Sequence, residues 1–221
     1  MSAASFIAQI APIAVQLRIE GSPIFPSVRI AQAGLETGWK IPAWNNLGGY
    51  KVGSGKLTPY WRGKVVNKGT WEVYDGKRVD VTAAFRAYDS VEDFFRDQDL
   101  LFQLPRYERV RTAKTPEEQA EALRLCGYAT DPEYGLKLCN IISMYRLEKY
   151  DEEAWKVLQE IKDLKRKVEE LEKQQERIPA PAWFVQQFGS ADLGGLISDP
   201  HFSLEGWRTL AVALRAQKAQ K

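Results

Sequence analysis

Residues 1–150 are predicted to form an α+β domain, mostly helical with one small β-hairpin lobe. Three observations predict this: apolar residues recur at helical spacing over most of the stretch, the pattern changes to alternation between Tyr60 and Tyr88, and capping signals punctuate the helical parts on either side. A coiled-coil helix over 151–178 and a short helical tail over 179–221 are expected to follow.

Phe6, Ile10, Ile13 and Leu17 mark one face of an opening amphipathic helix. Pro26 and Ser27 start a second helix through Val28, Ala31 and Leu35, and Gly38 stops it, which places Glu36 in its last turn. Strands are expected at Lys64–Asn67, Thr70–Val73 and Lys77–Phe85, with Asp75-Gly76 as a hairpin turn. Ser90, followed three residues later by Asp93 and then by Phe94, Leu101 and Phe102, reopens the helical pattern. Thr115, Pro116 and Glu118 form a capping box with proline at the first helical position, and Gly127 ends that helix. Asp131 and Pro132 open the next, whose inner face is Tyr134, Leu138, Ile141 and Tyr145.

Beyond Tyr150 the texture is charged and repetitive. Ala154, Val157, Ile161, Leu164, Val168, Leu171, Gln175 and Ile178 fit alternate core positions of a heptad register. Glu160 with Lys165, and Lys167 with Glu172, then fall where opposite charges meet across a parallel pair. A lone amphipathic helix folding back on the domain is the alternative. Pro179 and Pro181 break the helix, and the tail ends in another with Trp207, Leu210, Ala211 and Leu214 on one side. Trp183 and Trp207 in so short a segment require burial.

Composition narrows the chemistry. A net charge of +2 over 221 residues is too small for a nucleic-acid footprint, and no apolar run is long enough to span a bilayer. Cys126 and Cys139 sit at apolar helix positions and read as free core thiols, with a disulfide as the alternative. One histidine, His201, and two cysteines cannot readily build a zinc site or a nucleophilic triad, so no metal or cofactor is expected and carboxylates remain. Met1–Gln9 lacks the basic stretch and cleavage site of a secretory signal.

Glu36 is the informative carboxylate. A helix carboxyl end carries partial negative charge, so an acid there is misplaced for stability, and Trp39 and Trp44 nearby in sequence would add desolvation. Both effects raise its pKa toward the range of a general acid; the plainer reading is an exposed glutamate tolerating a small cost. Glu72 lies on the β-lobe. A loop of Tyr74-Asp75-Gly76 would set Trp71 and Val73 on one face with Val79 and Val81, and Glu72 opposite Arg78 on the other, kept ionised or simply ion-paired. Two carboxyl groups with diverging pKa values are what glycoside hydrolysis needs. Asn45 and Asn46 read as turn formers or sugar-binding amides, and Tyr107, Tyr128 and Tyr134 as core or as sugar-stacking rings.

These residues fall in a pattern. The stretch from Ala31 to Trp39 (AQAGLETGW) resembles the AQAxLESGWG signature of the glucosaminidases of glycoside hydrolase family 73. The likeness continues, in order, through Asn45-Asn46-Leu47, Thr70-Trp71-Glu72, Phe85-Arg86-Ala87-Tyr88 and the run from Gly127 to Tyr134 (GYATDPEY). It implies a lysozyme-like fold with a groove between a helical and a β-lobe, and endo-acting hydrolysis of the β-1,4 bond after N-acetylglucosamine in peptidoglycan. Glu36 matches the family's general acid and Glu72 its β-lobe glutamate, while Tyr128 matches a groove tyrosine. Asn46 and Tyr134 fall on motif positions, and with Trp39 and Tyr50 complete the expected substrate-binding set. Two departures are visible: the family's NNLFGIK is here Asn46-Leu47-Gly48-Gly49-Tyr50-Lys51, so that a groove aromatic is either missing or displaced to Tyr50, and Lys40 replaces the glycine after the tryptophan.

The resemblance leaves rivals: a muramidase or lytic transglycosylase on the same fold, or a wall-binding or assembly module. Expected partners are peptidoglycan strands and a second copy through 151–178, with the tail packing against that copy, another protein or the wall. Without a signal, the chain is expected to be made in the cytoplasm and to reach the wall by holin-type release, as part of a virion or by non-classical export.

Overall fold

The computed structural model describes residues 2–74 and 77–219, and for 70–81 the course of the backbone alone. The chain divides into two units, Met1–Leu158 and Gln159–Lys221.

Two helices organise the first unit. α1 (Ala3–Ile19) is capped by Ser2, whose hydroxyl accepts from the Ser5 N–H at 3.2 Å. It buries Phe6, Ile10 and Leu17 in one apolar cluster and Ile7, Ala11 and Ala14 in another, so it lies between the two halves of the core rather than presenting a single face. α2 (Pro26–Thr37) is buried at every residue from Pro26 to Gly34, Arg29 and Gln32 included. A helix enclosed on all sides needs partners for its polar groups. Ser27 supplies no side-chain cap; instead its N–H donates to the Asp151 carboxylate, 124 residues away, at 2.9 Å. Phe25 N–H donates to the Gln119 side chain at 2.8 Å. The start of α2 is thus capped from other elements.

β1 (Val65–Tyr74) and β2 (Lys77–Arg86) form one antiparallel hairpin where three strands were expected. Tyr74 pairs with Lys77, so the register places Glu72 opposite Val79 and Val73 opposite Arg78. The expected Glu72–Arg78 pairing is therefore corrected: the ladder is shifted by one residue from the one that apolar parity suggested, and a one-residue shift exchanges the faces of a strand's partners. The Asp75-Gly76 turn itself lies outside the described residues. The hairpin is tied to the preceding loop by Val52 N–H to Ala84 O (2.9 Å) and Arg86 N–H to Tyr50 O (2.8 Å).

α3 (Val91–Phe102) starts at Ser90, whose hydroxyl accepts from Asp93 N–H at 3.0 Å. A 3-10 turn (Pro105–Tyr107) and α4 (Glu108–Thr112), neither anticipated, lead to α5 (Pro116–Leu125). α5 carries half of the expected box: the Thr115 hydroxyl accepts from Glu118 N–H, while the Glu118 side chain reaches one residue past the cap and accepts from Lys114 N–H at 2.8 Å. α6 (Tyr134–Tyr145) buries Tyr134, Leu138 and Ile142. Cys126 and Cys139 are free and half-buried. α7 (Glu148–Gln175) begins in the first unit, where Ala154 is buried, and ends in the second, where Leu164, Val168 and Leu171 are exposed. No helix among the described residues is long and apolar enough to cross a membrane.

The second unit contains β3 (Ile178–Pro179), α8 (Ala182–Phe188), β4 (His201–Phe202) and α9 (Leu204–Ala219), with β3 and β4 paired antiparallel. The tail was expected to bury its tryptophans against another surface. Trp207 is instead fully buried within the tail, against Phe184 at 4.6 Å and Phe202 at 4.9 Å between ring centroids. Its ring N–H donates to Ile178 O at 3.0 Å, so the polar handle is satisfied internally. Trp183 stays partly exposed. Trp207→Ala is expected to cost ~3–5 kcal/mol, more than so small a core supplies. Limited proteolysis should then cut within 176–219 while 1–158 stays protected; parental resistance of the tail would show that its folding does not depend on this ring.

Candidate active site

Glu36 sits in the last turn of α2, and the way that helix ends fixes its surroundings. Gly38 adopts φ +59° and Trp39, unusually for a bulky residue, φ +64°. The N–H groups of both residues turn back to the Gly34 carbonyl, that of Trp39 at 3.2 Å. This reversal lays the indole on the helix's own backbone at Gly34, where an added Cβ would meet the ring at 2.5–2.8 Å. The ring is held further by Phe6, edge-on at 5.6 Å, and by Tyr145 at 4.7 Å. Trp39, read from sequence as a substrate-binding residue, is therefore absorbed by packing and does not line the cleft.

That cleft, about 1230 Å³, brings Glu36 together with Tyr50, Tyr128 and Tyr134. The Tyr134 hydroxyl donates to Glu36 Oε1 at 2.8 Å and accepts from Gln32 Nε2 at 3.1 Å. Tyr128 lies against Tyr134, ring centroids 6.0 Å apart. The Glu36 side chain opens onto the cleft, yet the surrounding walls shield its carboxyl from bulk water and raise its pKa above the ordinary glutamate range; the Tyr134 hydrogen bond opposes the rise. Burial and the Glu36 charge push the Tyr134 and Tyr128 hydroxyls upward, so both remain proton donors at any working pH.

The other expected residues take different places. Asn46 is buried and its amide is used up within the loop: Nδ2 donates to Tyr50 O (2.9 Å) and Arg86 O (2.8 Å), and Oδ1 accepts from Tyr50 N–H (2.9 Å). It binds the 46–50 loop to β2 and does not line the cleft. Asn45 is likewise a turn residue, at φ +54°, donating to Tyr88 O. Tyr107 borders the cleft but is buried, edge-on to Phe102 at 5.3 Å. Glu72 has a described backbone position on β1, while its side chain lies outside the described residues.

Sequence reasoning missed a second carboxylate, Asp97 on α3. It is buried in the cleft wall and accepts from Thr58 Oγ1, Arg86 Nη1 and Tyr88 Oη, each at 2.7 Å. With its lone pairs engaged, it pins β2 and the Thr58 loop to α3, and Arg86 in turn lies over the Trp61 ring at 4.4 Å. Arg29, Gln32 and Gln98 were also missed. The signal available was polar residues set inside apolar runs of a helix, which demands buried partners without naming them.

The profile of the glucosaminidase family, described as mannosyl-glycoprotein endo-beta-N-acetylglucosaminidase, matches residues 12–147, a span that holds Glu36, Glu72 and the cleft tyrosines. The chain belongs to the glucosaminidase family. Among its relatives, the peptidoglycan hydrolase FlgJ of Escherichia coli (strain K12) is 36% identical over 146 residues, 64% of this chain and 46% of that protein. The exo-glucosaminidase LytG of Bacillus subtilis (strain 168) is 36% identical over 147 residues, 62% of this chain and 50% of that protein. The chain spans about half the length of the curated relatives it matches. A crystal structure of a peptidoglycan hydrolase mutant from Sphingomonas sp. A1 superposes with a TM-score of 0.55 at 34% identity, covering 67% of this chain and 97% of that one. This glucosaminidase domain thus has the lysozyme-like architecture of its family, a helical body with one β-hairpin.

Gly34→Ala is expected to displace the Trp39 ring. Overpacking of this kind costs ~1–3 kcal/mol, against about 1 kcal/mol gained in helix propensity. A lowered thermal midpoint with altered tryptophan fluorescence is the expected result; an unchanged midpoint would show that the ring yields freely.

Proposed function

We propose that the chain is a peptidoglycan hydrolase that cleaves the β-1,4 glycosidic bond after N-acetylglucosamine, with Glu36 as general acid. The observation that carries this reading is a carboxyl group exposed to a tyrosine-walled cleft and held at one oxygen by Tyr134, with partial desolvation raising its pKa. Shielding keeps a fraction of Glu36 protonated where an ordinary glutamate would be ionised, and a well-placed acid of this kind supplies roughly 10²–10⁴-fold. Tyr50 and Tyr128 supply ring faces for amino sugars along the cleft, while the buried Tyr134 spends its hydroxyl on Glu36 and Gln32. Glu72 is the second carboxylate, either activating water for inversion or stabilising charge while the substrate's N-acetyl group attacks. The names of the relatives support the substrate class, and that of LytG supports release from chain ends as a second mode.

Glu36→Gln should abolish lysis in zymograms while keeping the parental melting curve. In the parent, a general acid must carry its proton, so activity falls as pH rises through the Glu36 pKa; because that pKa is raised, the falling limb should lie above the ordinary glutamate value of about 4.3. Mass spectrometry of digested sacculi should find reducing-end N-acetylglucosamine. Reducing-end muramic acid would instead support a muramidase, anhydromuramic ends a lytic transglycosylase, and no products at all a binding module.

We also propose that two copies pair in parallel through α7. Exposed Leu164, Val168 and Leu171 supply an apolar seam, flanked by the opposite charges of Glu160 with Lys165 and Lys167 with Glu172. Light scattering should give twice the chain mass, and one chain mass for the Leu164→Glu/Leu171→Glu variant; a monomeric parent would end this proposal.

A further inference from the structure

The hydrogen bond that reaches Glu36 is the last of a series. Arg29, fully buried on α2, is anchored by its ion pair with Asp99 of α3, by Arg29 Nη2 donating to Ser22 Oγ at 2.8 Å and by Nη1 donating to Phe95 O at 3.1 Å. Nη1 also donates to Gln98 Oε1 at 3.2 Å. Gln98 Nε2 donates to Gln32 Oε1 at 2.9 Å, Gln32 Nε2 to Tyr134 Oη at 3.1 Å, and Tyr134 Oη to Glu36 Oε1 at 2.8 Å.

Every direction in this series follows from its first member. A guanidinium has donors only, so the Gln98 carbonyl oxygen must face Arg29 and its amide nitrogen must face Gln32. The same logic turns the Gln32 oxygen toward Gln98 and its nitrogen toward Tyr134. The phenol oxygen, already accepting from Gln32, directs its own proton at Glu36. Gln98 and Gln32 are both buried, which leaves water no place to reverse either amide.

We propose that Gln98 and Gln32, oriented by Arg29, are positioning residues that fix the sense of the Tyr134–Glu36 hydrogen bond, so that Oε1 accepts and the catalytic proton is carried on Oε2. The inference rests on the reading of Glu36 as the general acid. A protonated Glu36 free to donate from Oε1 to Tyr134 would hold its proton in that hydrogen bond rather than offer it to the glycosidic oxygen; the series works against that alternative, because a phenol accepting from both Gln32 and Glu36 would have its own proton turned away from both. It also supports the ionised form, opposing the desolvation that raises the group.

Burial and the Tyr134 hydrogen bond are the influences that act on the Glu36 carboxyl. Arg86 is paired with Asp97 and Lys137 with Asp131. Lys51, Lys56 and Arg106 line the cleft, and Tyr128 receives only the second, 3.5 Å bond from Gln98 Nε2.

The test uses Gln32→Met and Gln98→Met, which keep side-chain length and remove the amide, in the full chain with isolated glycan strands as substrate. Each variant should keep KM, lose several-fold in kcat and move the falling limb of the kcat/KM profile upward by about one pH unit, the scale of one hydrogen bond to a charged group. In a Tyr134→Phe background, Gln98→Met should leave that limb where Tyr134→Phe alone puts it, because the series acts only through the phenol. A limb that stays in place in both single variants, with melting curves confirming that they are folded, overturns the proposal, as does an additive shift in the Tyr134→Phe background. If Gln98→Met fails to fold, Gln32→Met reads the same bond. An active Glu36→Gln variant would instead overturn the general-acid reading itself, a separate result.

Discussion

A charged guanidinium enclosed within the helix that carries the acid is the constraint from which the site's geometry follows. Arg29 cannot be left unpaired in the core, where an uncompensated charge would cost several kcal/mol. Three of its partners, Asp99, Gln98 and Phe95 O, lie on α3 and a fourth, Ser22 Oγ, lies just before α2, so satisfying it locks α2 and α3 into one relative position. Gln32, a second buried polar side chain of the same helix, is satisfied across α3 and α6. Three helices are thereby joined through polar bonds whose last member is the Glu36 carboxyl. Apolar packing around them is tolerant of small shifts; a directed series of hydrogen bonds is not.

The opposite wall of the cleft is built in a similar way from different residues. Asp97, one residue before Gln98, faces the β-lobe and gathers Thr58, Arg86 and Tyr88, while Asn46 binds its own loop to the end of β2. α3 therefore carries two consecutive polar residues with separate duties, Gln98 toward the acid and Asp97 toward the hairpin. The base of the hairpin is rigidly joined to the helical body, and the cleft lies between the two sets of bonds.

The C-terminal unit follows another logic. Its core is aromatic and small, centred on Trp207 and Phe184, and depends on packing rather than polar bonds. Within the first unit, α7 contributes Asp151 to the buried start of α2 and so takes part in holding the helix that bears Glu36.

Much of this was legible in the sequence because it rests on local rules. The order of the main helices, the boxes at Ser90 and Thr115, the hairpin and the αL stop at Gly38 depend on residues a few positions apart, and the placement of Glu36 in the last turn of its helix followed from them. The family signature supplied the rest of the reading, including Tyr128 and Tyr134, which do line the cleft. What the sequence could not reveal were interactions between distant residues. Trp39 and Asn46 read as sugar-binding types, yet one is folded back on Gly34 and the other spent on loop carbonyls, choices made by backbone reversals that no composition shows. The hairpin register departs from the one that apolar parity suggested. Local patterns fix which elements form and which face of each is apolar; only the assembled core decides which buried donor meets which acceptor, because that depends on distances between residues scores of positions apart along the chain.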